Sequence, residues 1–149
     1  MAQAAQAERL FIAVAKRTPM REVEKVQAVA DKGFENCVHG RTGSRRQVLL
    51  MDAETLAELD LTPGQIRENI TTRGLALTDL APLQRLRIGD AVLEVSVACD
   101  PCEQMDRIRM GLQEELQGRR GMLCRVVEGG LIRRGASIER LSSSAETDK

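Results

Sequence analysis

The chain has 149 residues, of which 22 are basic and 22 acidic, and carries no net charge. That length suits one domain with a sizeable core, and a neutral chain has no overall field to draw it to polyanions or an anionic membrane. With no Trp, no Tyr and only Phe11 and Phe34 as aromatics, it lacks the stacking platforms of single-strand nucleic-acid binders. Its core must be aliphatic.

The longest early apolar run, Leu10–Ala15, is too short for a signal core or a membrane span. The expectation is a cytoplasmic protein with no membrane or nucleic-acid partner. Its cysteines (Cys37, Cys99, Cys102 and Cys124) then read as thiols rather than disulfides. Nothing in the chain speaks to its oligomeric state.

In chain order, 1–9 reads as a disordered tail, 10–140 as one domain and 141–149 as a polar, disordered tail. Leu10–Ala15 reads as a first strand and Thr18-Pro19 as a turn. Glu22–Val29 carries Val23, Val26 and Val29, a spacing compatible with helix or strand. Lys32–Ser44, with three glycines and the only histidine, reads as a loop. Gln47–Met51 is a short buried strand. Asp52 is placed to cap a short helix that turns Leu56 and Leu59 inward, and Pro63-Gly64 ends it.

Ile66–Thr72 reads as the next strand. Alternation there places Arg67 and Asn69 on one side and Glu68 on the other. Leu86–Ile88 and Ala91–Val97 flank Gly89-Asp90, and a glycine first in a two-residue connection predicts a type II′ hairpin. A helix is predicted from Pro101 to about Leu116, with Met105, Ile108, Leu112 and Leu116 on one stripe. Strands follow at Met122–Val127, Leu131-Ile132 and Ser137–Arg140. Cys124, between apolar neighbours, belongs to the core. Many short strands, glycine turns and a few flanking helices predict a mainly β protein, a β-barrel of short strands.

The most informative stretch is Val95–Met105. Asp100 is a good N-cap, Pro101 suits the first helical position, and Glu103 can reach back as in a capping box. On that reading Cys102 lies in the first turn of a helix, facing free N–H groups that favour the thiolate, the nucleophilic and metal-binding form. Arginine pairs at Arg45-Arg46, Arg119-Arg120 and Arg133-Arg134 are either solvated charges or forks for phosphate or carboxylate.

Taken in order, several pieces resemble a MOSC domain. They are Arg46-Gln47-Val48, Gly64 with Arg67-Glu68-Asn69-Ile70, Gly74 and Leu77, Leu86-Arg87-Ile88-Gly89 with Leu93-Glu94-Val95, Pro101-Cys102, Gly121 with Arg125-Val126, and Gly129-Gly130. This module is found at the C-terminus of molybdenum cofactor sulfurases and as small stand-alone bacterial proteins. The resemblance implies a β-barrel with a cysteine, here Cys102, that carries sulfane sulfur or binds the molybdenum of a pterin cofactor (molybdopterin). Arg46, Arg67, Asn69 and His39 would line the cofactor site, and pyridoxal phosphate would not be required. Implied partners are a sulfur donor such as a cysteine desulfurase, or a molybdoenzyme acceptor.

One departure stands out. The family usually shows Gly-x-x-Gly-Asp-x-His, whereas this chain reads Gly33-Phe34-Glu35-Asn36-Cys37-Val38-His39. A lost glycine restricts the backbone, and a lost carboxylate removes an acid/base or anchoring group. Cys37 and Cys99 are then secondary thiols near Cys102. Three alternatives stay open beside the sulfur carrier: a non-catalytic module binding an anionic ligand or a partner through a degenerate site, a zinc site of Cys37, His39, Cys99 and Cys102, and a Cys99-x-x-Cys102 redox pair. The sequence leaves enzyme and carrier undecided.

Overall fold

The computed structural model describes residues 4–141. Residues 1–3 and 142–149 of the two expected tails lie outside the described residues. The elements are β1 (Gln6–Ile12), β2 (Arg21–Val23), β3 (Lys25–Val29), β4 (Gly33–Phe34), β5 (Val48–Asp52), α1 (Ala53–Glu58), β6 (Ile70–Arg73), β7 (Arg85–Ile88), β8 (Ala91–Ala98), α2 (Gln104–Ile108), α3 (Leu112–Glu115), β9 (Met122–Glu128), β10 (Gly130–Arg133) and β11 (Ala136–Leu141).

Seven strands close into a barrel in the order β11-β7-β8-β9-β5-β6-β1, with β1 pairing back onto β11 and β2 continuing beyond β1. A small sheet, β10-β3-β4, stands beside it. The mainly β, barrel-like fold with a few short helices matches the expectation from sequence. Among the described residues, no helix is long and apolar enough to cross a membrane.

Local chemistry explains most elements. Glu22–Val29 resolves into strands because Val26 and Ala28 alternate inward while Lys25 and Gln27 face out. Asp52 caps α1 as expected, accepting the Thr55 N–H at 3.0 Å. In the β7–β8 hairpin, Gly89 takes φ 58, and a Cβ there would lie 2.9 Å from the Leu131 carbonyl oxygen. The first strand begins at Gln6 rather than Leu10. Ala7, fully buried, packs between β6 and β11, a position its small side chain allows.

Two expectations are corrected. The single helix over Pro101–Leu116 is broken. Arg109 is extended and Gly111 sits in the left-handed region at φ 87, so two short helices, α2 and α3, replace it. Its inward stripe survives, since Met105, Leu112 and Leu116 are buried. The strand expected over Ile66–Thr72 starts only at Ile70. Before it lies a turn with Arg67 left-handed at φ 69.

β5 is covered on both faces. Val48 and Leu50 fill the barrel interior. Met51 packs outward with Leu56, Ile66, Met105, Leu112 and Leu116 under the helices. Leu49, also outward, joins Leu123 and Cys99 in a separate small cluster. That cluster is the floor of the site described next.

Candidate functional site

The site lies on the outer wall of the barrel, where Leu49 of β5 and Leu123 of β9 pair across the ladder. A cavity of about 260 Å³ opens over them. Six segments reach it: the loop after β4 (His39), the residue pair before β5 (Arg46), the turn before β6 (Arg67, Asn69), the connection after β8 (Cys99, Cys102), the start of α2 (Gln104, Met105) and the residue pair before β9 (Arg120). Arg67, Gln104 and Met105 also line a second chamber of about 600 Å³. The two chambers are therefore neighbours that share these three residues, and each is of a size suited to part of a small molecule.

The structure brings His39, Arg46, Arg67, Asn69, Cys99 and Cys102 to this cavity, all expected there from the sequence. It also adds Arg120, which pairing with Arg119 did not single out. Gly121 explains why Arg120 is here. Its φ is 110, and a Cβ would stand 2.2 Å from the Leu50 carbonyl oxygen. Only glycine lets this segment lie flat on β5, with its carbonyl accepting the Cys99 N–H at 2.9 Å.

Arg120 is 7% exposed. Its Nη2 donates to the Ile66 carbonyl at 2.7 Å, and its Nη1 has no partner among the described residues. Burial pushes the guanidinium down from its ordinary range. Cys99, Glu68 and Cys102 oppose that shift, and Arg46 adds to it. A buried donor left unpaired is costly, so an anion in the cleft would meet a group already lacking its partner. Arg119, by contrast, faces Glu58 at the surface, 2.9 Å away.

Asn69 organises the other side. Its Oδ1 accepts the Leu49 N–H at 3.0 Å, and its Nδ2 donates to the Phe11 carbonyl at 3.2 Å and to Cys37 Sγ at 3.4 Å. These partners fix the amide orientation. The remaining contact, 3.3 Å to His39 Nδ1, must therefore run from an Nδ1–H to Oδ1, which leaves Nε2 of His39 as an acceptor. Every hydrogen-bonding position of this amide is thus used. Asn69 holds the cleft together and orients His39; it has no free donor for a ligand.

Burial lowers the His39 pKa below the usual imidazole range. Arg67 and Arg120 reinforce the shift, and the bond to Asn69 partly offsets it. The imidazole is neutral at neutral pH. Glu68 faces away from the cleft, as expected. Its Oε2 accepts from the Gly64 N–H at 2.9 Å and the Thr71 hydroxyl at 2.8 Å, and burial pushes its pKa up. Arg67 donates from Nη1 to the Thr18 carbonyl, tying the turn to the wall of the second chamber. The exposed Arg46 completes a set of three guanidiniums.

The cysteines differ from expectation. Cys102 is the exposed one of the four free cysteines, but it precedes α2 instead of lying in its first turn. Neither Asp100 nor Glu103 caps that helix with a side chain, because the chain at Glu103 is already helical and α2 has only five residues. Cys102 shares its cavity with the guanidiniums of Arg46, Arg67 and Arg120, and is not held in the first turn of a helix. Cys37 lies beneath Asn69 and does not line the cavity. Its Sγ receives the Ala13 N–H at 3.3 Å and the Asn69 amide. Among the described residues, no three His, Cys, Asp or Glu side chains converge as a metal site. The zinc set of Cys37, His39, Cys99 and Cys102 therefore does not form.

A family model of the MOSC domain matches residues 38–139. The chain belongs to the MOSC domain family. No curated protein matches it. Among solved structures, the YuaD protein of Bacillus subtilis is similar at 21% identity and a TM-score of 0.79, covering 91% of this chain and 94% of that one. YiiM of Geobacillus stearothermophilus is 19% identical with a TM-score of 0.77, covering 93% and 75%. YiiM of Escherichia coli is 21% identical with a TM-score of 0.69, covering 91% and 69%.

The MOSC departure at Asn36-Cys37 now has a physical reading. Asn36 takes φ 65, a left-handed conformation that Asn tolerates better than most residues. The turn that a glycine would make is kept. Cys37 presents a sulfur acceptor to two buried N–H donors, the Ala13 backbone and the Asn69 amide.

Proposed function

We propose that this MOSC domain is a sulfur carrier, with Cys102 holding a sulfane sulfur as a persulfide at the mouth of an anion-binding cleft. The observation that carries this reading is Arg120, a buried guanidinium with an unpartnered Nη1, lining the same cavity as the exposed Cys102 thiol. Arg46 and Arg67 add positive charge from two further segments.

The steps follow from the residues. Cys102 is exposed and can reach the sulfur of a donor. Its sulfur attacks the outer sulfur of the donor persulfide, a new S–S bond forms, and the donor leaves as a thiolate. His39, neutral and with Nε2 unprotonated, is a base available in the same cavity for the Cys102 proton. The guanidiniums balance the negative charge on the bound persulfide. Asn69 keeps the imidazole in the tautomer this requires.

The MOSC setting also suggests a molybdenum-pterin cofactor, and the residues suit one. Arg120, Arg46 and Arg67 would hold a phosphate, the second chamber has room for a flat ring, and Cys102 is a soft donor. The cofactor, when bound, would supply a thiolate-binding metal beside Cys102.

The test is intact-mass analysis after incubation with a cysteine desulfurase and cysteine. The expected result is the mass of one added sulfur, mapped to Cys102 and absent in Cys102→Ser. A folded parent protein that gains no sulfur would overturn the carrier reading. Retained binding of a pterin phosphate by Cys102→Ser would then leave a pure binding module.

A further inference from the structure

Cys99 has no part in the sulfur transfer to Cys102, although it is buried against the same cavity and only two residues, Asp100 and Pro101, separate it from Cys102. Both ends of the Cys99–Cys102 segment are anchored. The Cys99 N–H donates to the Gly121 carbonyl at 2.9 Å, and the Cys102 carbonyl accepts the Met105 N–H at 3.0 Å. Packed against Leu49 and Leu123, the Cys99 thiol makes one long hydrogen bond among the described residues, 3.8 Å to the Asp100 carbonyl. Burial shields it from bulk reagents but leaves it beside the cavity that Cys102 opens onto. Both cysteines line the cavity that Arg120 also lines.

We infer that Cys99 is a resolving thiol, which discharges the sulfur carried on Cys102 as hydrogen sulfide by closing a Cys99–Cys102 disulfide. This rests on the sulfur-carrier reading. Cys99 Sγ attacks Cys102 Sγ, a bond forms between the two cysteine sulfurs, and the bond from Cys102 to the outer sulfur breaks. The outer sulfur departs with the bonding pair as hydrosulfide and takes the proton that Cys99 loses. The outer sulfur is reduced to sulfide while the two cysteines together reach the disulfide level, so no oxidant enters. Arg120, with its free Nη1, is placed to balance the charge of the leaving hydrosulfide. A dithiol reductant returns the pair to thiols in a separate exchange. A persulfide acceptor is then not obligatory; the product is free sulfide, which a sulfide-consuming reaction must take up.

The experiment loads the reduced full-length protein with inorganic polysulfide under anaerobic conditions, desalts it and follows its mass. In the parent, the form carrying one extra sulfur should decay to a form lacking two hydrogens relative to the starting protein. One equivalent of hydrogen sulfide and a cross-linked Cys99–Cys102 peptide should accompany it. Cys99→Ser and Cys99→Ala should each hold the sulfur roughly tenfold longer than the parent. Equal lifetimes in the parent and the Cys99 variants, or sulfur recovered on Cys99, overturn the inference but leave the carrier reading intact. A parent that never takes up sulfur defeats both.

Discussion

The side-chain oxygen of Asn69 serves His39 and the backbone of β5 at once, lying 3.3 Å from His39 Nδ1 and 3.0 Å from the Leu49 nitrogen. One amide therefore couples the orientation of the cleft's imidazole to the strand forming its floor. Asn69→Ala removes an acceptor from Leu49 and a donor from Phe11, both buried. The expected cost is about 3 kcal/mol in denaturant unfolding. In the surviving folded fraction the imidazole should lose its Nδ1–H preference, read from the ring nitrogen shifts in NMR. A loss of stability with the tautomer unchanged would separate the two roles assigned to this residue.

The single histidine makes the pH dependence easy to follow. Burial, with Arg67 and Arg120, places the folded pKa of His39 below its ordinary value. The unfolded chain therefore binds the proton first as pH falls below about 6.5. The stability contributed by the neutral ring is complete above that pH and is lost progressively towards the folded pKa. Buried Glu68, whose pKa is raised, has the opposite sign, since its contribution is lost as pH rises through its folded pKa. Comparing the parent with His39→Gln isolates the histidine. The variant should show a shallower loss of stability on acidification, and the His39 resonances of the parent should titrate with a midpoint below about 6.5.

Arg120→Leu tests the anion site. The substitution removes a buried charge with an unsatisfied donor, so folding stability should stay within about 1 kcal/mol of the parent. Inorganic phosphate should raise the Tm of the parent and leave that of Arg120→Leu unmoved, because a ligand stabilises only the state that binds it. An equal phosphate effect in both proteins would place the anion elsewhere.

The four thiols should label in a fixed order. Cys102 is exposed and reacts first with an alkylating reagent in the native protein. Cys37 and Cys99 are buried and should be slow. Cys124 is fully buried, and its thiol is pushed up to about 12 by burial, with Glu94 adding to the shift. It should label only on unfolding. Peptide mapping of a time course reads all four. Labelling of Cys124 before Cys37 would contradict the packing described.

Where residues and structure share one local rule, the sequence was readable. Asp52 before α1 and Gly89 in the hairpin each express a short-range preference and appear as expected. Glu22–Val29, whose spacing suited helix or strand, is settled as strand only by the inward packing of Val26 and Ala28. The inward stripe Met105, Leu112 and Leu116 was also legible, but its helix was not continuous. Gly111 within that stripe was the available sign of a break. The start of β1 escaped because Ala7 becomes core only once β6 and β11 close on it. Arg67 and Asn69 reach the cleft by way of a left-handed turn, not the strand alternation that first grouped them. Arg120 could not be ranked above Arg119 from sequence, since what buries it is the flat passage of Gly121 over Leu50. Of the two signs that singled out Cys102, its place after Pro101 in the MOSC pattern stands. The helix-start argument does not hold, because the residue precedes α2 and shares a cavity with arginines from distant segments.

The double-sided burial of β5 has a consequence for how this molecule can vary. Its interior is packed solid with aliphatic side chains, and its chemistry hangs on the outside of one stave. A change at Val48 or Leu50 touches no cleft residue directly and is felt there only if the stave itself shifts. Drift inside the lumen and drift at the reactive surface can therefore proceed largely apart, joined by the peptide units between Gln47 and Met51 and by the bond from Asn69 to Cys37.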